Sequence, residues 1–203
     1  MTRSSIRVNK IEYGKGKAEV IGVQIKEKNG ERHKIVVAYV PPKTRCWTAE
    51  EHEGVLKDTL ESLEQMINTS KRVTLVGDFN CSEVKWETFE AEGDENTWGN
   101  RLLRLTLNNT MVQWVNEDTR YRGEDRPSRL DLVFTKEVEL AKDIVFDCPF
   151  GKSDHVILEI EMEGVTEERD ETHRKKRRNF AKANFPELRN FFEQINWKEI
   201  EIL

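Results

Sequence analysis

Three short polar insertions interrupt the apolar runs of this sequence, and each carries side chains able to bind a cation or move a proton. They are Gly77-Asp78-Phe79-Asn80, Arg129-Leu130-Asp131-Leu132 and Ser153-Asp154-His155. Singly, each has an ordinary explanation. Gly-Asp-x-Asn is a common Asx turn, an aspartate within a strand can face solvent, and a histidine beside an aspartate is more often structural than reactive. Jointly they supply three carboxylates, an amide and an imidazole. That set suits hydrolysis of a phosphodiester, which needs a divalent cation against developing charge, a carboxylate to orient or deprotonate water, and donors for the phosphoryl oxygens.

Such a set works only if rigid elements bring it together, and the spacing predicts them. Ile21, Val23 and Ile25 alternate with other residues from Glu19 onward, and a second apolar run covers 34–40. Asn29-Gly30 between the two runs is a strong hairpin signal, and Pro41-Pro42 stops the second strand. Thr48 with Glu51 makes a capping box, and Leu56, Leu60, Leu63 and Ile67 form one face of a helix over 49–68. The short β-branched run 73–76 ends at Gly77 and fits a buried central strand. Strand, long helix, strand is the crossover of a layered α/β protein. A short helix capped by Thr97 follows, with strands at 129–135, 144–147 and 156–162.

Composition bounds the rest. The chain has 203 residues, a formal net charge of −5, and 36% hydrophobic against 35% charged residues. That is polar for a globular protein, yet the apolar residues are clustered enough for strands. The negative balance argues against a protein that coats nucleic acid non-specifically, although local arginines can still meet phosphates. Cys46, Cys81 and Cys148 fit no metal or redox spacing and read as reduced thiols of an intracellular protein. No apolar stretch approaches the roughly 20 residues of a membrane span, and the N-terminus lacks a signal-peptide core. His33, His52 and His173 have no partner spacing and read as surface residues; Trp47, Trp86, Trp98 and Trp114 read as core or loop anchors.

Three segments are expected: a main domain over 1–163, a charged linker over 164–180, and an amphipathic helical tail over 181–203 with Leu188, Phe191, Phe192 and Ile195 on one face. The basic run 174–178 reads as a solvated connector, with phosphate contact or nuclear localisation as the alternative.

Val-Gly-Asp-Phe-Asn at 76–80, Ser-Arg-Leu-Asp-Leu at 128–132 and Ser-Asp-His at 153–155, in that order, resemble the endonuclease/exonuclease/phosphatase superfamily, which includes apurinic endonucleases and deoxyribonuclease I. Ala38-Tyr39-Val40-Pro41-Pro42, the Thr119-Arg120 element and a Trp-containing tail look most like the endonuclease of non-LTR retrotransposon polyproteins. The resemblance covers roughly 19–163. It implies an α/β (α+β) fold, a four-layer β-sandwich flanked by helices, and metal-dependent nicking of DNA with Mg²⁺ or Mn²⁺ and no small-molecule cofactor. Asp78 would orient or deprotonate the attacking water, and Asn80 would hydrogen-bond the scissile phosphate. Asp154 would bind the metal, His155 would contact a phosphoryl oxygen with Asp131 fixing its tautomer, and Tyr39 would donate beside the phosphate. For Tyr39 a half-buried strand aromatic is the alternative. Thr119, Arg120, Arg122, Arg126 and Arg129, with Tyr121 among them, would approach DNA; a solvated hairpin is the alternative reading of that loop. A nuclear location and an original fusion to a reverse transcriptase go with the same resemblance.

The resemblance also raises a difficulty. A complete domain of this superfamily begins with a strand ending in Asn, a helix, and a strand carrying a metal-binding Glu, and none precedes Glu19. Residues 1–18 are expected to give at most one strand, and Glu12 lacks the strand context to be that Glu. The expectation is therefore an N-terminally truncated, marginally stable domain without the principal metal-binding Glu, with poor Mg²⁺ affinity and with activity lost or weak. Two other readings stay open: a non-catalytic nucleic-acid-binding remnant, and a phosphatase acting on another phosphate ester.

Overall fold

A computed structural model of the chain describes residues 8–27, 30–162 and 184–194. Its strands are β1 (Val8–Tyr13), β2 (Glu19–Lys26), β3 (Arg32–Tyr39), β4 (Arg72–Asp78), β5 (Val84–Lys85), β6 (Glu90–Ala91), β7 (Val112–Gln113), β8 (Asp131–Thr135), β9 (Ala141–Asp147) and β10 (Ile157–Met162); its α-helices are α1 (Ala49–Asn68), α2 (Trp98–Asn108) and α3 (Phe185–Gln194). The main sheet has the order β1-β2-β3-β4-β8-β7, and β10-β9 and β5-β6 form two-stranded sheets. Only β3 and β4 run parallel among the described paired strands, because α1 provides the long crossover between them.

The helix forms where the spacing predicts it. Thr48 Oγ1 accepts the Glu51 N–H at 3.1 Å while the Glu51 carboxylate accepts the Thr48 N–H at 3.0 Å. Leu56, Leu63, Met66 and Ile67 of α1 then bury against Val20, Val36, Ala38, Val73 and Leu75 of the sheet. The second helix adds Trp98, Leu102, Leu103 and Leu105 to the same core. Phe79, Trp86 and Phe134 meet edge to face, with Phe134 5.7 Å from Phe79 and 5.2 Å from Trp86. Cys81 is fully buried beside them, whereas Cys46 and Cys148 are exposed.

The architecture is the expected mixed α+β sandwich, with corrections in detail. Glu12 does have strand context: it lies in β1, opposite Gly22 of β2. There it is claimed by cations, with Oε2 2.8 Å from the buried Lys34 and Oε1 2.8 Å from Lys10. His33 is not a surface residue but fully buried, and His52 is half-buried with Nε2 3.1 Å from the Pro41 carbonyl. Strand β8 begins at Asp131 rather than 129, because Ser128 pairs instead with Arg120. The linker at 164–180 and His173 lie outside the described residues, as do the tail residues other than 184–194.

Candidate active site

Strand register builds the site. Tyr39 of β3 is opposite Asp78 of β4, and Asp78 is opposite Asp131 of β8. Paired residues project from the same face of a sheet, so the three side chains share one end and one face. Gly77 permits this closeness, since a Cβ there would overlap the carbonyl oxygen of Ala38. Beyond the strand the chain turns sharply: Asn80 takes a left-handed φ of 43°, a conformation asparagine tolerates, and its N–H donates to Asp78 Oδ1 at 3.0 Å. The Asn80 amide Nδ2 donates to the Val40 carbonyl at 2.9 Å, which pins the turn to the end of β3. Trp98 Nε1 donates to the Phe79 carbonyl at 2.9 Å and ties the same turn to α2.

His155 arrives from a different sheet. It precedes β10, and its Nδ1 lies 2.7 Å from Asp131 Oδ2. Residues 119–121 stitch the two sheets together: the Arg120 N–H donates to the Ser128 carbonyl at 3.0 Å, the Tyr121 N–H to the Asp154 carbonyl at 2.7 Å, and the Val156 N–H to the Thr119 carbonyl at 2.8 Å. Thr119 is fully buried, and its Oγ1 accepts the N–H groups of Leu130 and Asp131 at 3.1 and 2.9 Å. So placed, its side chain braces the start of β8 at Asp131. Ligand atoms of Asp78, Asp131 and His155 all lie within 4.8 Å of one another.

Burial, above all, raises the Asp78 carboxyl beyond its ordinary range, and the neighbouring Asp131 adds to this; the Asn80 N–H, His155 and Arg120 oppose it. A carboxylate so placed holds a proton more readily, which suits a base for water. Asp154 lies outside that 4.8 Å group and is joined to it through Arg120, whose charge reaches both Asp154 and Asp78. Arg120 Nε donates to its Oδ2 at 3.1 Å, and that bond is the first cause holding the Asp154 carboxyl below its usual range. Arg129 is engaged as well, with Nη1 2.8 Å from Glu87 and Nη2 3.0 Å from the Asn116 carbonyl. Arg122, Arg126 and Tyr121 are exposed on the same loop.

Comparison with known proteins decides the family. The model described as endonuclease-reverse transcriptase matches residues 33–159, the stretch that spans Tyr39, Asp78, Asp131 and His155. The chain belongs to this endonuclease-reverse transcriptase family. Solved structures agree on the fold. A 3′ phosphatase, NExo from Neisseria, solved as a substituted form bound to product DNA hairpin, is 12% identical with a TM-score of 0.57, covering 79% of this chain and 73% of that one. An AP endonuclease from Archaeoglobus fulgidus is 14% identical at TM-score 0.55, covering 78% and 72%. The endonuclease domain of TRAS1, a telomere-specific non-LTR retrotransposon, is 18% identical at TM-score 0.54, and the chain spans 63% of it with 72% of its own length. No curated protein matches the chain.

For a member of the endonuclease-reverse transcriptase family, the question is whether these residues suit a divalent cation. Asp78 and Asp131 offer oxygen donors and His155 an imidazole, gathered within 4.8 Å. A Mg²⁺ ion takes one or two carboxylates and keeps several waters, and carboxylate and water suit Mn²⁺ likewise, so the two aspartates are the donors and the imidazole stands beside them. The donor set fits either ion. No described helix is long and apolar enough to cross a membrane.

Sequence reasoning found the trio but missed what holds it. Thr119 is singled out by the Thr-Arg element, yet its burial and its bonds to β8 depend on contacts eleven and twelve positions away. Glu87 as the partner of Arg129 carries no signal in the sequence.

Proposed function

We propose that this chain hydrolyses phosphodiester bonds of DNA as a nicking endonuclease of the retrotransposon type, with Mg²⁺ or Mn²⁺. The observation that carries the reading is the cluster of Asp78, Asp131 and His155, brought together from three segments far apart in sequence and closed by the 2.7 Å bond between His155 and Asp131. A bound cation supplies charge neutralisation at the scissile phosphate. Asp78 accepts the proton of the attacking water, helped by its raised carboxyl. His155, held in one tautomer by Asp131, presents Nε2 to a phosphoryl oxygen. Asn80 keeps one amide N–H beyond its bond to Val40 for the same phosphate, and Tyr39, 41% exposed, stands beside Asp78 as a further donor. Asp154 adds a carboxylate to the cation site, and exposed Arg122 and Arg126 meet the DNA backbone. Action in the nucleus and an origin in a reverse transcriptase polyprotein belong to the same reading, which draws support from the family match and the TRAS1 likeness.

Supercoiled plasmid incubated with Mg²⁺ or Mn²⁺ tests it, with Asp78→Asn and His155→Ala beside the parent chain. Conversion to open circles should require both residues. Nicking that survives in both variants sinks the assignment of the site. DNA retention without nicking in the parent chain would favour a non-catalytic binding protein instead. Release of phosphate from a 3′-phosphorylated hairpin without nicking would favour phosphomonoester hydrolysis.

A further inference from the structure

Arg120 and Asp154 are each held by backbone bonds. Arg120 exchanges N–H and carbonyl with Ser128 at 3.0 and 3.1 Å, and the Asp154 carbonyl accepts the Tyr121 N–H at 2.7 Å. Arg120 thereby lies opposite His155 in an antiparallel β-bridge, closed on its other side by the Val156 N–H to Thr119 carbonyl bond at 2.8 Å. The two Cα positions are therefore set by main-chain geometry, independent of what the side chains do. The side chains themselves meet through one bond of 3.1 Å, and both are partly exposed, 23% for Arg120 and 39% for Asp154. An ion pair of that kind is weak enough to be exchanged. The guanidinium charge also reaches Asp78, where it slightly opposes the rise that burial causes. A side-chain cation thus stands among the carboxylates that a divalent cation would neutralise.

We propose that Arg120 is an exchangeable counter-ion of the site: its guanidinium occupies Asp154 when no divalent cation is present, and a cation binding there displaces it. This rests on the role of Asp154 as a metal ligand under the proposed function. Two consequences separate it from a merely structural ion pair. Removing the guanidinium should strengthen cation binding rather than weaken it, because a competitor is lost while the backbone bonds that place Asp154 remain. Removing the carboxylate should abolish that gain.

Free Mn²⁺ measured by electron paramagnetic resonance in titrations of the whole chain provides the test. Arg120→Gln should bind Mn²⁺ about two- to fivefold more tightly than the parent, the range an exposed ion pair is worth. Arg120→Lys, which keeps the charge, should stay closer to the parent. Asp154→Asn should bind more weakly, and adding Arg120→Gln to it should change nothing further. Equal or weaker Mn²⁺ binding by Arg120→Gln, or a gain that persists with Asp154→Asn, overturns the proposal. On the unsubstituted chain, the Arg120 Nε–H resonance should move during a Mg²⁺ titration. A resonance that stays fixed while Mn²⁺ binding saturates overturns it without reliance on any variant. None of these measurements reads nicking, so failure here leaves the proposed function to its own assay.

Discussion

Two histidine–carboxylate pairs lie at opposite ends of the main sheet's strands, one of them completed by a histidine from outside that sheet, and their surroundings differ for physical reasons. At one end, His155 meets Asp131 at 2.7 Å with both side chains about a quarter exposed, 27% and 24%. At the other, His33 of β3 lies 3.3 Å from Glu27, and both are fully buried. About 20 Å of strand separates them, the length from His33 to Tyr39. Glu27 has no hydrogen bond to its carboxylate oxygens; its company is His33 and the Arg72 guanidinium, whose Nε is 3.4 Å away. Burial first, and Arg72 second, pull His33 down to about 4, so it is neutral near pH 7 and bonds Thr74 Oγ1 at 2.9 Å. The same residue types therefore give an enclosed structural knot at one end and a solvent-reachable pair at the other. Access and the sign of the neighbouring charge make the difference.

Substitution should separate the two pairs most sharply in activity. Asp131→Asn or His155→Ala is expected to lower nicking by about 10²- to 10⁴-fold with little change in melting temperature, while His33→Ala should do the reverse. Equal loss of nicking from His33→Ala in a folded chain would erase the distinction. Next in size is acid stability. A histidine whose folded pKa is depressed binds its proton in the unfolded chain first, so stability is fully present above about 6.5 and falls as pH drops toward about 4. The loss attributable to His33 is about 3 kcal/mol. Urea midpoints across that pH window should fall in the parent chain and flatten in His33→Asn; parallel curves would remove the knot from consideration.

Thr119→Val should come third. It keeps the shape but leaves the Leu130 and Asp131 N–H groups without their acceptor, at about 1–3 kcal/mol. Nicking should drop along with stability, since Asp131 loses its support, and a stable variant with undiminished nicking would show that β8 needs no such brace. Smallest is the effect of the loop arginines. Arg122→Ala and Arg126→Ala should each weaken DNA binding modestly and reduce the slope of log affinity against log salt by about one, read by fluorescence anisotropy. An unchanged slope would take that loop away from the phosphates.

How much of this was legible in the sequence follows the range of the interactions. Helix α1 was readable to its ends, because its cap and its apolar stripe are local and each residue's partner is three or four positions away. Asp78 and Asn80 were readable because a glycine and an Asx turn must end that strand. His33 was not. In sequence it sits in the polar stretch Arg32-His33-Lys34 at a hairpin, and only the arrival of Thr74, 41 positions on, shows that it is enclosed. Lys34 is hidden for the same reason, its amine reaching Glu12 at 2.8 Å and Thr69 at 2.6 Å. Glu12 is a further case. One strand was expected before Glu19, and β1 supplies it, but nothing in the sequence signals that Glu12 on that strand is engaged by Lys34 and Lys10. The candidate site was visible through its residue types, and Trp98 was readable as an anchor; the braces Thr119 and Glu87 are ordinary residues made important by distant neighbours.

Cys81 follows directly on Asn80, fully buried, its thiol pushed far up by burial, while Cys46 and Cys148 lie open to solvent. The chain therefore carries its own clock. Two of its sulfurs stand open to a thiol reagent from the start, and the third modifies only when the turn that sets Asp78 comes loose. Counting labelled sulfurs against time measures how often the reactive end dismantles itself, with no dye or reporter added to the protein.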